Sequence, residues 1–344
     1  MYLLRILLLA LGICSHMPIQ VGAFINTPPR LPPPSLPPNP QNSFKNKIQD
    51  LMVLTRVNKN LVPVTVLNLL NGVITNPTHI QSWITSPQYW GASIMIHLFT
   101  AGSMVLNDLY DIKIDAINNP TRPLVKGTIT IKEAAVFTTI LFSLYTYFGL
   151  HWLPNMVAPI WKFSLITVLI YTPILKRIPL VKNLACASII TATVPFVGLS
   201  INPTLLTDPD LITNWVPLTA RTLFITSMFI ELMLDISDRE GDAKNGINTL
   251  PVLFGSQRVV WWLFVCLFIN YIQCISLCVN PITGDLVHIM YGAVLAGNFP
   301  LFYNLVLIKR SGFSKKAIKE ALFTTTISMM IYFLLYLIWI RFHY

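Results

Sequence analysis

From Leu51 to the end of the chain, apolar runs alternate with short polar connections. Nine apolar segments can be drawn, at about 61–75, 90–112, 132–152, 158–175, 183–200, 214–238, 257–280, 285–308 and 318–340. Most reach the roughly 18–20 residues that a helix needs to cross a bilayer. Each supplies its own backbone hydrogen bonds only as a helix, so the expected fold is all-α: a polytopic membrane bundle of about nine transmembrane helices. The first segment is the shortest and holds Pro63, Asn68, Asn71 and Gly72. Amides in a span face the bundle interior, where they bond a neighbouring helix or line a polar cavity. Asn68 is therefore a candidate substrate contact.

The chain before Leu51 follows a different pattern. Residues 1–23 read as a signal peptide: Arg5, a short apolar core from Ile6 to Ile13, and Val21-Gly22-Ala23 as a cleavage site. Residues 24–50 are rich in proline, with eight between Pro28 and Pro40, and from Phe24 to Lys47 there are three basic residues and no acid. That composition predicts an extended, unpacked segment. A signal, then Gly22-Ala23-Phe24, then a basic acid-free stretch resembles the two-part leader of algae with secondary plastids. A secretory signal with a proline-rich linker, leading to an endomembrane, is the other reading. The expected division is thus 1–23 signal, 24–50 transit-like segment and 51–344 membrane domain.

Two of the apolar segments end in acid clusters. Asp108, Asp111 and Asp115 are spaced i, i+3, i+7 and close a stretch from Trp90 to Leu106 that has no Lys, Arg, Asp or Glu. Asp235, Asp238 and Asp242 repeat the spacing 127 residues later, with Glu231 one turn earlier. On a continuous helix this spacing puts three carboxylates on one face. Eight of the chain's 14 acidic residues fall in these two windows, so they are not a scattered solvated face. An aspartate in mid-membrane costs about 2.5–3.5 kcal/mol on insertion scales, and three together call for a counter-charge. An all-oxygen set of this kind suits Mg²⁺.

Composition supports the membrane reading: 54% of residues are hydrophobic and 11% charged, against about a quarter charged in soluble domains. The net charge of +10 has no aromatic-interleaved basic patch behind it, so nucleic acid is not the expected partner. It follows the loops instead. The connections after segments two, four, six and eight carry Lys113, Arg122, Lys126, Lys176, Arg177, Lys182, Arg239, Lys244 and Lys309, while those after three, five and seven carry Asp208, Asp210 and Asp285. Basic loops stay on the cytosol-equivalent side, and both acid clusters lie on that same side. The five cysteines and six histidines show no metal-ligand spacing.

Acid clusters, Mg²⁺ and neighbouring Arg122, Lys176, Arg177 and Lys244 describe a polyanion clamp at the mouth of an apolar bundle. A phosphorylated head with a long hydrocarbon tail satisfies both, and an isoprenyl diphosphate donor is the obvious case. The motifs Asn107-Asp108-x-x-Asp111-x-x-x-Asp115 with Asn118-x-Pro120-x-Arg122-Pro123, Asp235-x-x-Asp238-x-x-Gly241-Asp242 with Thr249-Leu250-Pro251, and Tyr171 to Arg177 resemble the UbiA family of intramembrane prenyltransferases. The resemblance covers about 50–340. It implies Mg²⁺-dependent transfer of a prenyl group to a hydrophobic or aromatic acceptor within the lipid bilayer. It implies Asn107, Asp111, Asp238 and Asp242 as metal ligands, and the acid clusters themselves add Asp108, Asp115 and Asp235 as candidates. Diphosphate contacts would come from Lys176 and Arg177, with Arg122, Tyr171 and Lys244 as further contacts and Asp115 as a candidate base or orienter. Similarities point variously to chlorophyll synthase, homogentisate and geranylgeranylglyceryl-phosphate branches, and Leu234 stands where relatives often carry Lys or Arg. A terpene cyclase on the same scaffold, or a cation-coupled transporter, is the alternative.

Overall fold

The structure is a computed structural model that describes residues 40–76, 79–207, 216–278 and 299–325. The chain divides into two compact units, Met1–Asn46 and Lys47–Tyr344. The signal-like residues and the prolines before Pro40 lie outside the described residues. The described residues are helical and contain no strand.

Helix α1 (Pro40–Leu54) overturns part of the expectation for 24–50, since residues 40–50 are helical rather than extended. Pro40 opens the helix, where its missing N–H costs nothing, and no proline follows until Pro63. Leu51 and Leu54 then pack against Ala101 and Val105. Next come α2 (Val57–Thr75), α3 (Ile80–Ile84), α4 (Pro87–Tyr110), α5 (Ile112–Asn118), α6 (Pro123–Lys126), α7 (Ile131–His151) and α8 (Ala158–Tyr171). They are followed by α9 (Val181–Ile201), α10 (Val216–Lys244), α11 (Leu250–Phe254) and α12 (Ser256–Cys278). Residues 299–310 (α13) and 315–325 (α14) are also helical.

Seven of the nine apolar segments coincide with α2, α4, α7, α8, α9, α10 and α12, with ends shifted by a few residues. The eighth and ninth are described only at 299–308 and 318–325. Among the described residues, α4, α7, α9 and α10 are long and apolar enough to cross a membrane. The two sides of α7 show why length and composition go together. Val136, Ile140, Leu144, Tyr147 and Leu150 are exposed at helical spacing, while Ala134, Thr138, Leu141, Phe142 and Tyr145 are buried. A helix apolar on both faces belongs in lipid.

Polar groups inside the bundle bond across helices. Asn68 of α2 donates to Ser93 Oγ of α4 at 3.0 Å, and Asn71 to Thr193 Oγ1 of α9 at 3.1 Å. Arg221 of α10 reaches Asn270 and Gln273 of α12, both at 2.6 Å. Around these bonds, one core joins α2, α4, α7, α8 and α9, with Tyr89, Met95 and Trp161 at its centre. A second joins the later part of α10 to α12, α13 and α14 around Phe229, Met233 and Leu305. The first acid cluster lies at the end of α4 and on α5, beside a third apolar group around Val105 and Leu124, and the second on α10, so the site is set by how α10 meets α5 and α9.

Candidate active site

The first cluster lies across a helix break. α4 ends at Tyr110, and Asp111 takes φ −93° and ψ 6°, the bridge region common at active sites. The i→i−4 pattern nonetheless runs through it, from Asp111 N–H to Asn107 O at 3.0 Å and from Asp115 N–H to Asp111 O at 2.7 Å. α5 stops at Asn118 because Asn119 precedes Pro120 and is barred from the helical region. Asp108, Asp111 and Asp115 are all buried.

The single face of three carboxylates expected from the spacing is divided in the structure. Asp111 accepts from Asn107 Nδ2 at 2.8 Å and pairs with Lys176, carried on the turn Leu175–Arg177 between α8 and α9. Asp108 Oδ1 is held by two arginines, Arg122 Nη1 and, at 2.8 Å, Arg56 Nη2. Asp115 accepts from Asn119 Nδ2 at 3.2 Å and lies 3.5 Å from Arg122 Nε. Burial pushes the Asp115 carboxyl up to about 6, against the pull of its Asn119 hydrogen bond.

The second cluster lies within the unbroken 29-residue α10. Asp235 is buried and pairs with Lys182 Nζ and, at 2.9 Å, Asn183 Nδ2. Both partners come from the first turn of α9, an end that favours negative charge. Asp238 and Asp242 have no hydrogen bond or ion pair to their carboxylates among the described residues. Glu231 stands one turn before Asp235 on the same helix.

A contact between α5 and α10 brings the clusters together. Asn118 Nδ2 donates to Asp238 O at 3.2 Å. Asn118 lies so close to Gly241 that a Cβ there would stand 2.4 Å from its Nδ2. The glycine of the second motif is the space the first motif occupies.

Other expected residues are placed differently. Lys244 pairs with Glu240 at 2.6 Å on an exposed surface rather than with the clusters. Arg177 is exposed and has no carboxylate partner among the described residues. Tyr171 ends α8, half-buried. Asn68 is fully buried and spends its NH₂ on Ser93, leaving Oδ1 without a partner. Arg56, Lys182 and Asn183 were not singled out by spacing, because their partners are 52 or 53 residues away. A lysine and an asparagine opening an apolar segment were the available signal.

For a cation, the donor chemistry fits: carboxylate and amide oxygens, with the Asp238 and Asp242 carboxylates free of protein donors among the described residues. Such orphan acceptors call for a cation or donor. Their present arrangement is looser. Among the described residues no three His, Cys, Asp or Glu side chains are grouped to hold a metal ion, and Lys176 and Lys182 supply positive charge instead.

A helical membrane protein with two acid clusters joined at one mouth, and lysines and arginines on their carboxylates, is built to handle a polyanionic head above an apolar interior. Residues 72–327 match the UbiA prenyltransferase family. The chain belongs to that family. It is 32% identical over 183 residues to digeranylgeranylglyceryl phosphate synthase of Sulfolobus acidocaldarius, covering 52% of this chain and 62% of the relative. The chain thus spans less than two thirds of that relative's length. In fold it is similar to a solved structure described as digeranylgeranylglyceryl phosphate synthase in membranes, with TM-score 0.60, 20% identity, and coverage of 85% of this chain and 98% of that one. It is also similar to a UbiA homolog from Archaeoglobus fulgidus bound to DMAPP and Mg²⁺, with TM-score 0.58, 17% identity, and coverage of 83% and 99%.

Proposed function

We propose that this chain transfers a prenyl group from an isoprenyl diphosphate to a lipid-precursor acceptor. The observation that carries this reading is the junction of the two acid clusters at Asn118 and Asp238, with Lys176 on the turn between α8 and α9 paired to Asp111 and Lys182 in the first turn of α9 paired to Asp235. The bond between the prenyl C1 and the diphosphate oxygen breaks, and its electron pair leaves with the diphosphate. The acceptor's nucleophilic atom bonds to C1 and gives up its proton. Lys176 carries positive charge to where the leaving group becomes more negative, and Lys182 holds Asp235 in place on α10. The apolar bundle keeps water from the allylic cation. Asn107, Asp111, Asp238 and Asp242 would hold Mg²⁺, which supplies charge neutralisation for the diphosphate. Among acceptors, the relatives favour a glyceryl phosphate ether over an aromatic or tetrapyrrole ring.

We further propose that residues 1–50 direct the chain to a plastid membrane; the support is the leader pattern around Gly22-Ala23-Phe24. A fluorescent fusion of residues 1–50 that enters the endomembrane system instead would end that proposal.

The test of activity is a membrane-fraction assay with radiolabelled geranylgeranyl or phytyl diphosphate and Mg²⁺. It offers geranylgeranylglyceryl phosphate, homogentisate, chlorophyllide and 4-hydroxybenzoate in parallel. A lipid-soluble product with one acceptor, lost in Asp111→Ala and Asp238→Ala, is the expected result. Diphosphate release with a hydrocarbon product and no acceptor would make the protein a cyclase. Absence of any turnover would remove the prenyl-transfer reading.

A further inference from the structure

We propose that Arg56 and Arg122 form an anion subsite that binds the phosphate monoester of the acceptor, making Arg56 a specificity-determining residue. This rests on the prenyl-transfer reading above. It adds the residues that would choose the acceptor.

The two sides of the first cluster carry different cations. Arg122 reaches both Asp108 and Asp115, whereas Asp111 does not share it. Lys176 takes Asp111. Arg56 joins Arg122 on Asp108. A lysine offers a point charge, whereas guanidinium forks match the paired oxygens of a phosphate. A phosphate monoester near neutral pH carries between one and two negative charges, which suits two guanidinium groups.

Both arginines have donors to spare. Arg56 bonds Asp108 through Nη2, and its Nη1 is buried with no partner. Arg122 uses Nη1 and Nε on carboxylates, which leaves Nη2 for a ligand. Asp108, bonded to both, fixes the two forks side by side. A buried guanidinium nitrogen with no acceptor is rarely left so in a native protein, and a ligand oxygen would complete it.

The backbone of Arg56 is a separate observation. It adopts φ 54° and ψ 24°, the left-handed region that non-glycine residues seldom enter. It does so at the junction of α1 and α2, where its carbonyl accepts from Lys59 and Asn60, both at 2.9 Å. Strain of this kind persists where the surroundings enforce it and gathers at functional sites. The Arg56 side chain lies on Asp108. Arg56 also lies outside residues 72–327, so the family match does not assign it a role.

The experiment uses the full chain in membranes with geranylgeranyl diphosphate and two acceptors, geranylgeranylglyceryl phosphate and the same ether lacking its phosphate. Wild type should prefer the phosphorylated acceptor. Arg56→Met should raise KM for that acceptor by about ten- to a hundredfold, leave the donor KM unchanged and largely abolish the preference. Arg56→Lys should restore part of it. In wild type, glycerol phosphate should compete with the acceptor and not with the donor, a measurement independent of whether the variants fold. A rise in donor KM instead would assign the arginines to the diphosphate and overturn the subsite. So would equal losses with both acceptors, which mark a merely structural role. Transfer only to a phosphate-free aromatic acceptor would overturn the subsite while leaving prenyl transfer standing, and no transfer in wild type would remove both.

Discussion

The two acid clusters share their spacing and differ in almost everything that spacing does not specify. The first lies across a break at Asp111, and its carboxylates are met by Arg56, Arg122 and Lys176 from three separate parts of the chain. The second lies within unbroken α10, where Asp235 alone is tied, to Lys182 and Asn183, and Asp238 and Asp242 have no side-chain partner among the described residues. One cluster is held by many separate elements; the other is presented by one rigid helix. The difference separates two jobs within α10. Asp235, closed off by Lys182 and Asn183, holds structure, and Asp238 and Asp242, left free on a rigid helix, can accept a ligand.

The largest expected effect tests the structural side of that contrast. Lys182→Met strands a buried carboxylate at Asp235 and should cost about 3–5 kcal/mol of stability, read as a lowered thermal midpoint in detergent. Combining it with Asp235→Leu should recover most of the loss, and an additive double mutant would show that the pair is not coupled. Next is the free side. Asp242→Ala should lower prenyl transfer by about 10²–10³-fold while shifting the midpoint little, because no protein donor loses a partner. A large drop in midpoint without a matching loss of turnover would reverse the roles assigned to Asp235 and Asp242.

A smaller effect tests how the two clusters are joined. Gly241→Ala forces a methyl against Asn118 and should cost about 1–3 kcal/mol. Asn118→Ala in the same chain should relieve the clash yet still reduce turnover, since the bond to Asp238 O is gone. The smallest expected effect marks the edge of the site. Lys244→Ala breaks only an exposed pair with Glu240 and should change stability by less than about 1 kcal/mol and leave turnover unchanged. A tenfold loss of activity would bring Lys244 back into the mouth.

How much of this was legible in the sequence follows from the range of each interaction. The membrane helices and both acid clusters are local patterns, and seven apolar segments fall on observed helices, among them α4, α9 and α10, which carry the site. Asn107 bonding Asp111 is also local, one turn apart. The break at Asp111 was not legible, because no proline or glycine marks it and i, i+3, i+7 spacing reads the same on straight and broken helices. Lys182 and Arg56 were hidden for another reason. Their charges looked like ordinary loop cations until folding set them beside aspartates more than 50 residues away. Lys244 shows the converse error: proximity in sequence to Asp242 placed it at the site, and helical geometry turned it toward Glu240.

The bond from Asn118 to Asp238 ends on a main-chain carbonyl, not on the aspartate side chain. On the α10 side the gauge between the two halves of the mouth is therefore written in backbone and does not depend on the Asp238 side chain. With Asn118 and Gly241 kept, other residues at the rim can be exchanged, by evolution or by an engineer, without re-measuring the gap. A scaffold with that property can change its customers while keeping its jaws at a fixed opening.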